Sequence, residues 1–86
     1  AYLRLNSSSY GGVLFYDGYG GNSGAILYSH GSDSLIFETK VAGGNPTEKM
    51  RISSGGKVGI GTANPHYPLQ LYEDSSSHCY VSFTNS

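Results

Sequence analysis

The chain has 86 residues, a net charge of −1, a hydrophobic fraction of 37% and a charged fraction of 13%. This composition lacks the excess positive charge with which proteins contact nucleic acid or anionic membranes, and no apolar run approaches the roughly 18 residues of a transmembrane helix. The single cysteine, Cys79, excludes an intrachain disulfide framework. We therefore expect no nucleic-acid partner and no membrane insertion.

The first third of the sequence alternates short apolar runs with turns rich in Gly, Ser and Asn. Such alternation is typical of β-strands, whereas no long stretch shows the apolar spacing of an amphipathic helix. Residues 1–33 are interpreted as a loose β-meander. Its predicted strands are Tyr2–Leu5, Val13–Tyr16 and Ala25–Tyr28, separated by turns at Asn6–Gly12, Asp17–Gly24 and Ser29–Asp33.

Residues 34–72 contain the clearest strand pattern of the chain. In the longest candidate, Ser34–Val41, Leu35 and Phe37 fall on one side and Ile36 on the other. Pro46 forbids a central strand position in the loop that follows, because it has no backbone N–H group to donate. The further predicted strands are Glu48–Ile52, Lys57–Gly61 and Leu69–Tyr72, and Cys79–Thr84 is a last one after a polar loop.

The two ends of the chain share an aromatic–aliphatic–polar–aliphatic spacing, at Tyr2–Leu5 and at Tyr80–Phe83. This similarity indicates that residues 1–86 form a single segment spanning about one period of a tandem repeat, with residues 73–86 beginning the next period. Units of repeat arrays are stabilised largely by their neighbours.

The short strands argue against a closed monomeric barrel. Gly59 and Gly61 alternate with Val58 and Ile60, and glycine inside a strand marks the close approach of another backbone. A chain of this length also buries only about 60% of its unfolded surface. We therefore expect the chain to draw stability from other copies of itself.

The run Ser34–Leu71 resembles the shaft repeat of bacteriophage tail fibres and related fibrous adhesins. In that family an apolar strand and a loop precede E-[RK]-M-R-I, then S-x-G-x-V-G-I-G-T-x-x-P and a short L-x-[VL] strand. The matching residues here are Glu48, Lys49, Met50, Arg51, Ile52, Ser54, Gly56, Val58, Gly59, Ile60, Gly61, Thr62, Pro65, Leu69 and Leu71.

The resemblance implies an all-β fold whose short strands and Gly/Ser-rich turns form an intertwined parallel homotrimer, either a β-prism or a triple β-helix. It implies a structural segment of a virion tail fibre that positions a receptor-binding tip for host attachment. In many relatives a self-cleaving chaperone domain lies downstream. The residues expected in the trimer core are Met50, Ile52, Val58, Gly59, Ile60, Gly61, Pro65, Leu69 and Leu71.

Two alternatives stay open from the sequence. The same architecture would suit a repeat of a bacterial extracellular filament or adhesin stalk at the cell surface. Alternatively, the chain is a carbohydrate-binding module whose tyrosine-bearing loops contact host surface glycans, because an apolar ring with a polar tip suits the face of a sugar. Tyr10 and Tyr19, within Gly-rich stretches, are the candidate glycan contacts.

Short motifs with apparent chemistry are better explained by turns. Ser29, His30 and Asp33 include the residue types of a hydrolase triad, but a triad needs groups that converge from separate segments. Asp17–Gly24 lacks the spacing and the terminal Glu of an EF-hand calcium loop.

A threefold axis could build a metal site from a single histidine in each of three chains. His66, His78 and Cys79 are the available ligands, but no His-x-His or His-x-Cys spacing occurs. His78 is interpreted as a loop residue and Cys79 as a small buried hydrophobe. We assign no catalytic residue, no metal ligand and no cofactor, and predict that the protein is not an enzyme.

Overall fold

The computed structural model describes residues 3–18, 21–73 and 79–85. Within these residues the chain is all-β, as the alternation pattern predicts: six strands form one sheet and no helix occurs. The described part of the chain thus contains no helix that could span a membrane. The strands are β1 (Tyr10–Tyr16), β2 (Asn22–Ser29), β3 (Ser34–Thr39), β4 (Thr47–Ile52), β5 (Val58–Ile60) and β6 (Leu69–Leu71).

The strands lie side by side in chain order. Neighbours from β1 to β5 are antiparallel, and β6 alone runs parallel to the strand before it. Three of the antiparallel turns use left-handed backbone conformations, at Asp33 (φ 50°), Gly43 (φ 78°) and Gly56 (φ 83°). Glycine adopts this region without steric cost, and aspartate is among the few other residues that tolerate it.

The predicted start of β1 at Val13 is wrong, because the strand begins three positions earlier at Tyr10. Gly11 and Gly12, predicted to lie in a turn, pair with Tyr28 and Leu27 of β2. A side chain on Gly12 would collide with the backbone and side chain of Leu27. Glycine is therefore required at this position by the neighbouring strand rather than by a turn.

The predicted terminal strands are also wrong where the structure describes them. Residues 3–5 and 79–85 contain no strand, because an isolated extended segment has no ladder of hydrogen bonds to hold it. Tyr2 lies outside the described residues. The alternating pattern at both ends predicts strand propensity, and that propensity is not satisfied within one chain.

The connection from β5 to β6, residues 61–68, folds directly onto the sheet. It is shorter than the dozen or so residues usual between parallel strands. Gly59 makes this possible: a Cβ there would lie 2.6 Å from the Thr62 carbonyl oxygen and 3.3 Å from Cβ of Pro65. Gly61 then turns the chain with φ 85°.

The register places two apolar rows on one side of the sheet, which we call the apolar face. One row crosses all six strands through Val13, Ile26, Phe37, Met50, Ile60 and Leu71. The other runs through Gly11, Tyr28, Leu35, Ile52, Val58 and Leu69. Among the described residues no second sheet covers this side, although the N-terminal segment lies against it where the Leu5 carbonyl oxygen approaches Gly11.

The opposite side, which we call the mixed face, carries small, polar and apolar side chains together. Its rows contain Tyr10, Gly12, Leu14, Ala25, Leu27, Ser29, Ser34, Ile36, Arg51, Gly59 and Gln70. Ala25 and Ile36, the buried hydrophobic residues of the described chain, both lie here. The single folded chain therefore has a small core on the mixed face and an apolar face that is only partly covered.

Candidate functional site

The apolar face stays partly exposed, most at positions in β1, β2, β5 and β6, while Phe37, Met50 and Ile52 are of intermediate exposure. Val13, Ile26 and Ile60 each retain 40% of their accessible surface, and Leu69 retains 58%. A sheet is stable in water when its apolar side packs against another layer. The described part of this chain supplies no complete layer of this kind, so the face is the principal candidate for contact with another molecule.

Six of the nine residues predicted to form a trimer core lie together on the apolar face. They are Met50, Ile52, Val58, Ile60, Leu69 and Leu71, from the three C-terminal strands. The other three have different positions. Gly59 and Pro65 contact each other on the mixed face, and Gly61 lies in the β5–β6 connection against the Tyr72 backbone. Gly59, Gly61 and Pro65 therefore shape the β5–β6 connection, whereas the other six side chains form part of the apolar face.

A concave apolar pocket of about 350 Å³ lies at the β1–β2 end of the apolar face. Leu3 and Leu5 form one wall, and Val13, Ile26 and Leu35 belong to the sheet side. The N-terminal segment thus extends the apolar surface beyond the strands.

Glu48 and Arg51 form an ion pair on the mixed face. Arg51 Nε donates to Glu48 Oε2 at 2.8 Å, and Arg51 Nη2 donates to Oε1 at 2.7 Å. These hydrogen bonds are the largest cause of a raised Arg51 pKa; partial burial opposes the shift, and the nearby Tyr10 phenol adds to it slightly. The pair is only partly exposed, with side-chain accessibilities of 17% for Arg51 and 22% for Glu48.

Beside this pair, the β5–β6 connection and the sheet border an open depression of about 310 Å³, which we call the loop pocket. Its lining combines hydroxyl, guanidinium, amide and imidazole groups with an apolar surface of similar extent. The lining residues are Ser32, Ser34, Arg51, Ser53, Ser54, Ala63, Asn64, Pro65 and His66.

Several hydrogen bonds fix the loop that forms this pocket. The backbone N–H of Asn64 donates to Thr62 Oγ1 at 3.1 Å, and that of His66 donates to Gln70 Oε1 at 2.7 Å. Lys57 Nζ donates to the His66 carbonyl oxygen at 3.3 Å. Because these bonds use the backbone of Asn64 and His66, both side chains remain available to line the pocket.

The two tyrosines predicted as glycan contacts differ in outcome. Tyr10 is 57% exposed, but it opens strand β1 on the mixed face rather than lying in a loop. It occupies the same cross-strand row as Ser29 and Ser34, which are buried. Tyr19 lies outside the described residues.

The triad-like residues of the β2–β3 turn do not converge as a hydrolase site. Ser29 is buried at the end of β2. The His30 ring lies 5.2 Å from the Tyr28 ring, and Asp33 accepts a hydrogen bond from the Tyr28 hydroxyl at 3.3 Å. The interpretation of Ser29–Asp33 as a turn rather than a catalytic site therefore agrees with the geometry.

The candidate metal ligands are separated in the described chain. His66 lines the loop pocket, whereas Cys79 is exposed with its Sγ 3.7 Å from the Leu71 carbonyl oxygen. The prediction that Cys79 is buried is thus wrong for the single chain. His78 lies outside the described residues, and no group of three His, Cys, Asp or Glu side chains is found among the others.

No known protein family matches the chain, and no curated protein matches it either.

Sequence reasoning did not find the loop pocket, because its parts come from three separate regions of the chain. The Glu48–Arg51 ion pair could not be predicted from the sequence for a different reason. Residues three apart on a regular strand point to opposite faces, so the sequence gives no reason to pair them. An irregularity in the β3–β4 register changes this: Phe37 pairs with Met50 but Glu38 pairs with Glu48, so Lys49 is an extra residue.

Proposed function

We propose that the chain is a structural segment of a trimeric fibre. In this assembly three copies run parallel and turn their apolar faces toward a common axis. The segment holds a receptor-binding tip away from a virion tail and transmits its orientation. The observation that carries the proposal is the partly exposed apolar face, which contains the apolar residues of the fibre-like E-K-M-R-I and V-G-I-G-T motifs.

The energetics favour association through this face. Complete burial of a Val, Ile, Leu, Phe or Met side chain contributes about 1.5–3 kcal/mol. Burying what remains exposed contributes about 1 kcal/mol at positions such as Ile26 and Ile60, and less at Phe37 and Met50. Two rows of such residues cross the sheet, and each copy would contribute them. The open edges at β1 and β6 would also meet neighbouring chains around the axis, which would protect backbone groups otherwise free to pair indiscriminately.

The sheet geometry favours a prism over interwound strands. All six strands of the sheet come from one chain and pair in sequence order. Each chain can therefore supply one complete side of a three-sided prism. Neighbouring chains would then meet at the corners, in a head-to-tail arrangement that closes after three copies.

A matched pair of variants on β1 tests the proposal. Val13 lies on the apolar face and Leu14, its neighbour, on the mixed face, with exposures of 40% and 49%. We expect light scattering to give a trimer for the unmodified chain and for Leu14→Glu, and a monomer for Val13→Glu. A stable monomer of the unmodified chain contradicts the proposal, as does equal disruption by both variants.

A further inference from the structure

The loop pocket is an open depression with a mixed polar and apolar lining. Its volume of about 310 Å³ lies at the lower end of the roughly 300–1,000 Å³ range of ligand pockets. It combines hydrogen-bonding groups of several kinds with the apolar surface of Ala63 and Pro65. Its size suits a compact ligand with polar groups around an apolar framework.

The charge of the pocket favours a neutral ligand. Arg51 is the one Lys, Arg, Asp or Glu among the residues that line it, and Glu48 balances the positive charge through two hydrogen bonds. Glu48 occupies the Nε and Nη2 side of the guanidinium, which leaves the Nη1 side for a ligand. Because Glu48 already neutralises the charge of Arg51, the pocket would attract an anion only weakly. A neutral hydroxyl group can still accept a hydrogen bond from the guanidinium.

The remaining polar groups suit a ligand with several hydroxyls. Ser34 Oγ donates to the Ser32 carbonyl oxygen at 3.2 Å and keeps its lone pairs as acceptors. The Asn64 side chain offers both a donor and an acceptor, and the His66 ring offers its nitrogens. Vicinal hydroxyls of a sugar require such mixed donors and acceptors at short spacing.

Tyr10 does not line this pocket, but it lies in a cross-strand row that leads to it. Its row on the mixed face continues through Ser29 to Ser34, which lines the pocket. Strands lie about 4.8 Å apart, so the Tyr10 backbone is about 10 Å from Ser34 and its ring can reach over the small side chain between them. An exposed ring next to polar groups is suited to stacking on the C–H face of a sugar ring.

We propose that the loop pocket binds a saccharide, with the Tyr10 ring as the stacking surface and Arg51, Asn64 and His66 as hydrogen-bonding groups. The site lies within one chain, and only its repetition around a fibre rests on the proposed function. On a prism with inward apolar faces, the mixed faces would point outward and present three copies of the site. Simultaneous engagement of several weak sites would raise the overall avidity.

Titration of the isotope-labelled chain with glucose, galactose, mannose and N-acetylglucosamine, followed by NMR, tests the site. We expect at least one sugar to bind with millimolar affinity, as is usual for a ligand with so few atoms. The backbone amide shifts should concentrate at Ser34, Arg51, Asn64 and His66. The Asn64→Ala variant should lose about tenfold in affinity, since its side chain makes a direct hydrogen bond in the complex.

Two control variants separate the site from general effects on the surface. Asn45→Ala removes an exposed amide from another loop, and Tyr16→Ala removes a 60% exposed ring at the far end of β1. Both should bind as the unmodified chain does, whereas Tyr10→Ala should weaken binding about tenfold. Equal effects of Tyr10→Ala and Tyr16→Ala overturn the proposal.

Further outcomes are equally decisive. The absence of shifts with all four sugars overturns the site, and so does a response to inorganic phosphate without a response to any sugar. Light scattering on the same samples keeps this result distinct from the fibre proposal. A monomer that binds sugar in the loop pocket contradicts the fibre proposal and supports the saccharide site. A trimer that binds no sugar supports the fibre proposal and contradicts the saccharide site.

Discussion

Glu48 and Arg51 share the mixed face of β4, although regular alternation would place them on opposite sides. The bulge at Lys49 adds one residue between them and rotates Glu48 to the side of Arg51. Bulges re-aim side chains in this way at the cost of local ladder hydrogen bonds. Here Lys49 is itself held, because its Nζ donates to the Thr39 carbonyl oxygen at 2.6 Å.

Neutralising Glu48 should weaken the sheet measurably. Glu48→Gln keeps one acceptor for Arg51 but removes the charge from a partly buried pair, so we expect a loss of about 1 kcal/mol in the free energy of unfolding. Urea unfolding at one fixed protein concentration measures this change. Glu73→Gln, at an exposed position after β6, is the matched control and should leave the midpoint unchanged. An equal midpoint for both variants would show that the pair contributes nothing.

The close approach of the β5–β6 connection makes Gly59 sensitive to any side chain. In Gly59→Ala the new methyl group would lie 2.6 Å from the Thr62 carbonyl oxygen, so the backbone of the connection must move. We expect a loss of about 2–3 kcal/mol, typical of overpacking at a rigid site. Gly55→Ala is the control, because a Cβ there meets nothing within 4 Å and φ is not positive.

Thermal unfolding monitored by circular dichroism distinguishes the two glycine variants. Gly55→Ala should melt within a few degrees of the unmodified chain, while Gly59→Ala should melt well below it. Similar melting temperatures would mean that the connection yields easily, and would remove the physical reason for glycine at position 59.

The Asp33 carboxylate should control the ionisation of Tyr28. Partial burial raises the pKa of the Tyr28 phenol above its ordinary value of 10.0, and the charge and hydrogen bond of Asp33 raise it further. Asp33→Asn removes the charge and tolerates the left-handed backbone at this position (φ 50°). We therefore expect the Tyr28 pKa to fall toward the ordinary value without losing the turn.

The raised pKa also fixes the sign of a pH effect on stability. The folded chain binds the phenolic proton more tightly than the unfolded chain does, so the contribution is complete below pH 10.0 and is lost as the pH rises through the folded pKa. NMR titration of the labelled Tyr28 ring between about pH 9 and 12 measures the shift. An unchanged Tyr28 titration in Asp33→Asn would contradict the coupling.

Alternation within single strands predicted the faces of the sheet well. Leu35 and Phe37 lie on the apolar face and Ile36 on the mixed face, as their spacing requires. The sequence did not reveal that Ile36, rather than Phe37, would be the buried residue, because burial depends on what packs above each face. It also predicted turns at Gly12 and Gly24, where glycine instead admits a neighbouring strand.

The site was less predictable than the strands, because it depends on register. The motif placed Met50, Ile52, Val58 and Ile60 in alternation, and pairing then extended their rows across β1 to β3. The bulge at Lys49 follows from tertiary contacts and has no local signal. Whether the apolar faces meet around an axis is a property of several chains, and the trimer stays a prediction.

The parallel pairing of β6 with β5 determines at which end of the sheet the chain leaves the last strand. Six strands in a fully antiparallel meander would bring the chain back to the end of the sheet where β1 starts. Here β5 and β6 point the same way, so the path enters at one end of the strands and leaves at the other. In a tandem array the chain would therefore leave each segment at the end of the strands opposite to its entry. Successive segments could then follow one another in one direction without a long connection running back along the sheet.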